Sequence, residues 1–313
     1  MEKNQLLRII FMGTPEFAVA SLDALVNAGY NIVGVVTAPD KPAGRGMKMN
    51  ESAVKKYAVE QNLHILQPEK LKNPEFIEEL KSLKADLQIV VAFRMLPEVV
   101  WNMPPMGTVN VHGSLLPQYR GAAPINWAVI NGEKETGVTT FKLKHEIDTG
   151  DILLQESFSI GEDDTTGEVH DHMKEVGAKL LVKTVEGLIN KTLVEKTQSS
   201  VVSSESAVLK HAPKIFTETC KIDFSKTVEE VHNLIRGLSP FPGAFTILHD
   251  KMLKIYRSKK EITTQRLPAE FVTDGKSYLK FACSDGYVHL LEIQLEGKKK
   301  MLIDDFLRGY RFS

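Results

Sequence analysis

The chain has 313 residues, of which 42% are hydrophobic and 25% are charged, and its formal net charge is −1. The length predicts two domains, and the composition is that of an ordinary soluble globular protein. Cys220 and Cys283 lie in neither a CxxC nor a Cys–His pattern, which argues against a disulfide framework and a zinc site, so no metal is expected. No apolar run approaches the length of a membrane span, so we expect a cytoplasmic protein that does not bind membranes.

Strands and helices alternate over the first part of the chain. An apolar strand at Leu6–Met12 precedes the helical pattern FAVASLDALVNAG, and NIVGVVTAP reads as the next strand. The nearly all-apolar run ADLQIVVAF predicts a central parallel strand that is covered on both faces. This order predicts an α/β fold with a doubly wound, mostly parallel Rossmann-like sheet. The first turn, GTPEF, lacks the GxGxxG pattern, so the sequence does not support dinucleotide binding.

The second part of the chain has a different character. Residues 190–212 are rich in Ser, Thr, Lys and Gln, which predicts a linker between a catalytic domain at 1–189 and a C-terminal domain at 213–313. Short strand patterns with turn residues between them, such as GAFTILH, LKIYRSKK and LKFACS, predict a small C-terminal OB-like β-barrel. From Lys210 onward there are 18 Lys and Arg against 13 Asp and Glu. That balance suits a polyanionic partner, although a solvated surface also explains it.

Two polar side chains interrupt the strand pattern TVNVHGS. Asn110 and His112 share one face of the predicted strand, because alternate residues of a strand point to the same side. Gly113 then ends the strand, and Pro124 suits the first position of a following helix. This order is typical of the ligand-binding edge of a parallel sheet. The alternative is that both residues are strand-end polar groups with purely structural hydrogen bonds.

Together with Asp148, these residues form a set that suits acyl transfer. The Asn110 amide can donate to a developing oxyanion, His112 can donate a hydrogen bond or move a proton, and Asp148 can orient and stabilise the imidazole. This set needs no protein nucleophile if the substrate supplies an amine. Ser114 is the competing nucleophile, but it lacks the GxSxG elbow of a hydrolase.

The segment DKPAGRGMKMN predicts a mobile, exposed basic loop at the same edge of the sheet. Lys41, Arg45 and Lys48 are its cations, and Asp40 is its only acid. Such a loop can bind phosphates, and it can equally be surface decoration.

The stretch NVHGSLLPQYRGAAPINWAVINGEKETGVT, followed by DTGDIL, resembles the formyltransferases that use 10-formyltetrahydrofolate. The resemblance extends to MGTPEFA, DKPAGRG, IRGLSPFPGAF and EGKKKMLIDDFLRGYRF. It implies that Asn110, His112 and Asp148 are the catalytic trio. It also implies a folate site that includes Phe93, Arg94, Met95, Leu96, Pro97, Ser114, Leu115, Leu116, Pro117 and His145.

Within this family the resemblance implies that the amine substrate is methionyl-initiator tRNA, with a role in translation initiation and a monomeric enzyme. Lys41, Arg45 and Lys48 would then contact the tRNA, and the C-terminal domain would support it. Family members often have Tyr-Gly where this chain has Phe93 and Arg94. Two alternatives remain: a formyltransferase for a sugar nucleotide or glycinamide ribonucleotide, and a non-catalytic RNA-binding protein.

Overall fold

The computed structural model describes residues 6–43, 48–201, 208–263 and 270–312. The chain divides into two compact units. The first unit consists of Met1–Arg120, Gly137–Phe158 and Asp171–Lys210, and the second of Gly121–Thr136, Ser159–His170 and His211–Ser313.

The described residues form strands and helices in the following order. The strands are β1 (Arg8–Gly13), β2 (Asn31–Val36), β3 (Lys41–Ala43), β4 (Lys48–Asn50), β5 (Ile65–Leu66), β6 (Leu87–Val91), β7 (Thr108–His112), β8 (Arg120–Gly121), β9 (Glu135–Lys142), β10 (Ile152–Ser159), β11 (His211–Ala212), β12 (Ala244–Leu248), β13 (Lys251–Ile262), β14 (Phe271–Thr273), β15 (Leu279–Cys283), β16 (Gly286–Leu295) and β17 (Met301–Leu302). The helices are α1 (Glu16–Asn27), α2 (Ala53–Glu60), α3 (Pro74–Ser82), α4 (Glu98–Trp101), α5 (Pro124–Ile130), α6 (Thr166–Ile189), α7 (Val228–Gly237) and α8 (Ile303–Gly309), with 3₁₀ turns at Gln198–Val201 and Thr217–Cys220.

The first unit is built on a seven-stranded sheet in the order β10-β9-β7-β6-β1-β2-β5. The pairs β7–β6, β6–β1, β1–β2 and β2–β5 are parallel, and β9 is antiparallel to β7. The chain therefore extends the sheet from β1 to β5 in one direction and then returns to add β6 and β7 on the other side of β1. The predicted doubly wound, mostly parallel sheet is confirmed.

Burial explains why the central strands read as continuous apolar runs. All five residues of β6 are buried, as are five of the six in β1. Parallel strands in the middle of an α/β sheet have both faces covered, so alternation with polar residues is not required. Apolar residues of α3 such as Phe76 and Leu80 join Ile10, Met12 and Val90 in one core cluster. The helix starts where Asn73 accepts a hydrogen bond from the backbone of Glu75, ahead of Pro74.

The second unit contains the antiparallel sheet β12-β13-β16-β15-β14, with β17 paired to β16. The predicted C-terminal barrel is confirmed as a curled sheet that forms a half-barrel. Its core includes Ile235 of α7 together with Leu253, Phe281 and Val288 of the strands. Helix α7 begins with a capping box, in which Thr227 and Glu230 each bond the backbone of the other.

Two details differ from the sequence interpretation. The predicted basic loop contains a two-stranded hairpin, in which β3 and β4 pair through their backbones with Lys41 opposite Asn50. Helix α8 and the short strands β8, β11 and β17 were not predicted, since each has too few residues to show a period. The domain boundaries at 189 and 212 stay a prediction.

Among the described residues, none of the helices combines the length and the apolar character that crossing a bilayer requires.

Candidate active site

Strand β7 carries the two polar residues that interrupt the apolar pattern. Asn110 lies between Val90 of β6 and Phe141 of β9 in the sheet register. Strands β2 and β5 come after β1 in the chain and lie on one side of it, whereas the later strand β6 pairs with β1 on the other side. The strand order therefore reverses between β1 and β6, and the carboxyl ends of these two strands form the switch point of the sheet. Strand β7 is next to β6, and it brings Asn110 and His112 to the edge where open α/β sheets bind ligands.

His112 is held by the loop that follows its own strand. Its Nε2 atom donates a hydrogen bond to the backbone carbonyl of Tyr119 at 3.0 Å, and the residue is only 7% exposed. Since a neutral imidazole has one donor and one acceptor nitrogen, this bond makes Nε2 the protonated atom and leaves a lone pair on Nδ1. The ring also meets Phe141 edge to face, with 6.4 Å between ring centroids. His112 is therefore a fixed base with Nδ1 as its acceptor.

Asp148 approaches His112 from the turn between β9 and β10. Its Oδ2 atom is 3.9 Å from Nδ1 of His112, and the two side chains are 12% and 8% exposed. This separation is too long for a hydrogen bond but short enough for an ion pair once Nδ1 gains a proton, and the burial limits screening by water. The carboxylate is thus placed to stabilise an imidazolium. The carbonyl of Tyr119 orients the ring in this structure, and the predicted share of Asp148 in that orientation stays a prediction.

Asn110 is half-buried on the same face of β7. Within the described residues, no hydrogen-bond partner is recorded for its side-chain amide, so the Nδ2 donor is available to a ligand. Asn110 and His112 thus present a donor and a base side by side, with the Asp148 carboxylate facing the base. This arrangement fits attack of an amine on a carbonyl carbon.

Ser114 does not fit the role of a nucleophile. The residue is fully buried, and its Oγ atom donates to the backbone carbonyl of Gln118 at 2.6 Å. Its own carbonyl accepts a hydrogen bond from Thr139 at 2.7 Å, and the same Thr139 hydroxyl accepts from the backbone of Leu116. Leu116 and Pro117 are also buried, whereas Leu115 is partly exposed. Residues 114–117 therefore support the end of β7 from within the core.

The predicted folate segment 93–97 follows the carboxyl end of β6. Its side chains differ in direction: Met95 is 78% exposed, Leu96 is 9% exposed, and Phe93 packs on the core cluster of β1 and α3. Arg94 turns away, bonding the carbonyls of Pro68 and Glu69, and desolvation there lowers its pKa from the ordinary value. In the described part of the chain, no other backbone group forms a hydrogen bond with the backbone groups of residues 93–96. The backbone of this segment is therefore open to a ligand.

His145 lies near this segment through its partners on α4. Its Nε2 atom is 3.0 Å from Oε2 of Glu98, and its ring meets Trp101 edge to face at 5.8 Å. The His145 side chain is 75% exposed.

Of the three predicted cations in the basic segment, the structure describes the Lys41 side chain and the backbone of Lys48, and Arg45 lies outside the described residues. Lys41 is exposed at the start of the β3–β4 hairpin. The base of the hairpin is held by Lys55, which pairs with Asp40 before β3 and with Glu51 after β4, the latter at 2.8 Å. Hydrogen bonds from Lys55 and Gln67 lower the pKa of Asp40, and the bond to Asp40 raises the pKa of Lys55.

The sequence interpretation missed Gln198, which lies in the predicted linker. It is 4% exposed, and its Nε2 atom donates to the carbonyls of Asp148 at 2.7 Å and Gly150 at 2.9 Å. It also missed the role of Tyr119. Both roles depend on hydrogen bonds to backbone carbonyls. Every residue has a backbone carbonyl, so the residue types do not indicate these bonds.

The described residues contain no group of three or more His, Cys, Asp or Glu side chains arranged to hold a metal ion.

The chain is similar to known proteins over nearly its whole length. The chain is 54% identical to the methionyl-tRNA formyltransferase of Bacteroides thetaiotaomicron over 99% of its own length and 98% of that protein. It is 55% identical to the methionyl-tRNA formyltransferase of Phocaeicola vulgatus over 100% and 98% of the two lengths.

Solved structures share the fold. The N-formyltransferase of Helicobacter canadensis, crystallised with folinic acid and dTDP-3-aminofucose, superposes with a TM-score of 0.68 at 22% identity, covering 94% of this chain and 100% of that one. HypX of Aquifex aeolicus in complex with tetrahydrofolic acid gives a TM-score of 0.65 at 17% identity, covering 98% of this chain and 48% of that one.

The formyl transferase family matches residues 7–185, which include Asn110, His112 and Asp148, and the C-terminal domain of formyl transferases matches residues 214–311. With these two matches, and with relatives above 50% identity over nearly the whole chain, the chain belongs to the formyl transferase family.

Proposed function

We propose that this enzyme transfers the formyl group of 10-formyltetrahydrofolate to the α-amino group of methionyl-initiator tRNA, in the cytoplasm, as a step of translation initiation. The proposal is supported by sequence identity above 50%, over nearly the full length of both chains, to proteins named methionyl-tRNA formyltransferase. The site geometry is consistent with it, because the described residues around His112 offer a base and a donor but no free nucleophile.

In this proposal the amine nitrogen attacks the formyl carbon, and the bond from that carbon to the folate nitrogen breaks. Asn110 donates through Nδ2 to the formyl oxygen as negative charge builds up on it. The Nδ1 atom of His112 accepts the proton that the amine loses, directly or through one water, and returns a proton to the folate nitrogen as its bond to the formyl carbon breaks. Asp148 then faces an imidazolium at 3.9 Å and stabilises it. The folate supplies the formyl group and needs no metal in this scheme.

The segment 93–97 supports a folate site. A pterin carries ring donors and acceptors along one edge, and the backbone groups of residues 93–96 are without recorded partners among the described residues. Backbone recognition of this kind tolerates Phe93 and Arg94 where relatives often have Tyr and Gly, because the side chain of Arg94 points to Pro68 and Glu69 instead. His145, paired with Glu98, would close the same region.

The hairpin of β3 and β4 supports a tRNA substrate. Lys41 begins β3 and Lys48 begins β4 of a hairpin whose base is held by Lys55, and Arg45 lies between them in the sequence. Cations on an exposed arm gain affinity for a phosphate backbone by releasing its counterions. The C-terminal stretch from Lys210 onward, with 18 Lys and Arg against 13 Asp and Glu, would support the same tRNA. We retain a monomeric enzyme as part of the proposal.

The test is a transfer assay with purified protein, 10-formyltetrahydrofolate and initiator tRNA charged with methionine. Formylmethionine, released from the tRNA and identified by mass spectrometry, is the expected product. Parallel reactions contain dTDP-3-aminofucose or glycinamide ribonucleotide as the amine. Formylation of one of these and not of the tRNA would overturn the proposal. Binding of RNA without any turnover, unchanged in a His112→Ala variant, would instead support a non-catalytic RNA-binding protein.

A further inference from the structure

Within the first unit, the described residues 190–201 and 208–210, which follow α6 and which we call the strap, pack on the rest of the unit. The backbone N–H of Lys196 donates to the carbonyl of Ile152 at 2.9 Å, and the backbone N–H of Ile152 donates to the carbonyl of Lys196 at 2.8 Å. Farther along, the carbonyl of Lys210 accepts a hydrogen bond from the backbone of Tyr119 at 2.7 Å. The strap therefore touches the two loops that flank the candidate active site, the loop after β7 and the turn between β9 and β10.

Gln198 is buried, the only such residue among the described residues of the strap, and every hydrogen-bonding position of its side-chain amide is matched. Its Nε2 atom donates to the carbonyls of Asp148 and Gly150. Its Oε1 atom accepts from Nε of Arg120 at 3.0 Å and from Nη2 of Arg120 at 2.6 Å. Buried polar groups with a complete set of partners fix local geometry, because losing one partner leaves another group unpaired.

We call the four hydrogen bonds of the Gln198 side chain the bridge. One end of the bridge lies beside the partner of His112, and the other end is at Asp148. Arg120 follows Tyr119, whose carbonyl accepts the hydrogen bond from His112. At the other end, Gln198 bonds the backbone of Asp148 itself. One side chain thus connects the loop that orients the base with the turn that carries the carboxylate.

Both loops need such support because their backbones are strained. Tyr119 has a φ of 59° and Asp148 a φ of 55°, in the left-handed region that disfavours residues other than glycine. Residues in this region persist only where surrounding contacts hold them. The turn is also crowded: a Cβ at Gly150 would overlap the carbonyl oxygen of Lys142.

We propose that Gln198 is a positioning residue of this enzyme, which through Arg120 and the Asp148–Gly150 turn sets the separation between the imidazole of His112 and the carboxylate of Asp148. The inference rests on the proposed formyl transfer and deepens it. It assigns to the strap a part in catalysis, although the strap supplies no group that reacts.

The first test compares Gln198→Glu and Gln198→Met with the wild type in the transfer assay. The Glu variant keeps the acceptor for Arg120 but loses both donors to the turn, and the Met variant loses all four bonds. We expect kcat to fall by about 10- to 100-fold in both, with KM for tRNA and for folate within about twofold, since a shift of about 1 Å in a reacting group has an effect of that size. Ser200→Ala, an exposed position in the same 3₁₀ turn, is the control and should leave kcat unchanged.

A double-mutant cycle separates positioning from general weakening of the fold. If Gln198 acts through Asp148, the reduction in kcat caused by Gln198→Met should shrink to less than about threefold when Asp148→Asn is already present. An undiminished reduction in the double variant would overturn the proposal, as would kcat within about twofold of the wild type in both single variants.

Hydrogen exchange tests the bridge without reference to activity. In the Gln198→Glu protein, the hydrogen-bonded backbone amides of Ile152 and Lys196 should exchange at least about tenfold faster than in the wild type, while those of β1 and β6 stay unchanged. Faster exchange of these amides in the variant, found together with a wild type that does not transfer the formyl group, would refute the proposed function and leave the bridge intact. Unchanged exchange in an active enzyme would refute the bridge and leave the function intact.

Discussion

The Nε2 atom of His112 donates a hydrogen bond to the carbonyl of Tyr119, and this contact decides which ring nitrogen meets the substrate. Nδ1 is left as the acceptor, with the carboxylate of Asp148 at 3.9 Å from it. A base that is held at one nitrogen by a neutral carbonyl can gain a proton at the other without turning. The site can therefore take up the proton of an attacking amine and stabilise the resulting charge in one fixed geometry.

Replacing Asn110 by Ala should lower kcat by about 100-fold or more, because removal of a donor to a developing oxyanion has an effect of that size. KM for folate should change little, since the bond strengthens only as charge develops on the oxygen. Steady-state kinetics of formyl transfer measure both values. Asn190→Ala, at an exposed position after α6, is the matched control. A kcat near that of the wild type in Asn110→Ala would contradict the assignment.

Asp148→Asn should also reduce kcat by about 100-fold, because the variant lacks the charge that stabilises protonated His112. Asn tolerates a positive φ as well as Asp does, so the strained turn is expected to survive. Asp250→Asn repeats the same substitution at an exposed residue with a φ of 61° and should leave kcat unchanged. Equal activity of the two variants would show that the carboxylate has no part in the reaction.

Lys41→Ala and Arg45→Ala should raise KM for tRNA and leave KM for folate unchanged, because both residues belong to the proposed tRNA-binding arm. The dependence of tRNA binding on salt should also weaken, with the log–log slope falling by about 0.7 to 0.9 for each phosphate that the variant no longer neutralises. Binding titrations at several salt concentrations give this slope. Lys56→Ala, on the exposed face of α2, is the control cation. A rise in KM for folate with no change in KM for tRNA would contradict the assignment of this arm to tRNA binding.

The second unit should lose stability as the pH falls below about 6.5. His232 is 2% exposed, and burial lowers its pKa below 6.5, although Asp163 opposes that shift. The unfolded chain therefore binds a proton at a pH where the folded chain does not, so the free energy of unfolding decreases as the pH falls through this range. Above the unfolded pKa both states are neutral, and the effect vanishes.

A His232→Gln variant checks this origin. Its unfolding midpoint should fall less than that of the wild type between about pH 7.5 and 5.5, since Gln does not titrate. His211→Gln, at an exposed position of the same unit, should keep the wild-type dependence. Identical pH profiles for wild type and His232→Gln would rule out the buried imidazole as the cause.

The sequence by itself determined the local features of this protein. The period of two in β7 put Asn110 and His112 on one face, the apolar run of β6 marked a covered strand, and the alternation of strands and helices predicted the sheet. Each of these depends on residues close together in the chain, where side-chain pattern and backbone conformation are directly linked. Family resemblance added the roles of the trio and the substrates.

Only the tertiary structure decided how the site is held together. Three interactions hold the site: Asp148 approaches His112, Tyr119 orients the ring of His112, and Gln198 bonds the turn at Asp148. Each of them joins segments that are distant in sequence or that meet only through a folded loop. Two of the three interactions end on backbone carbonyls, which every residue possesses, so no residue pattern marks them. The strap around Gln198 therefore read as a linker in the sequence and became part of the site's support only once the chain had folded.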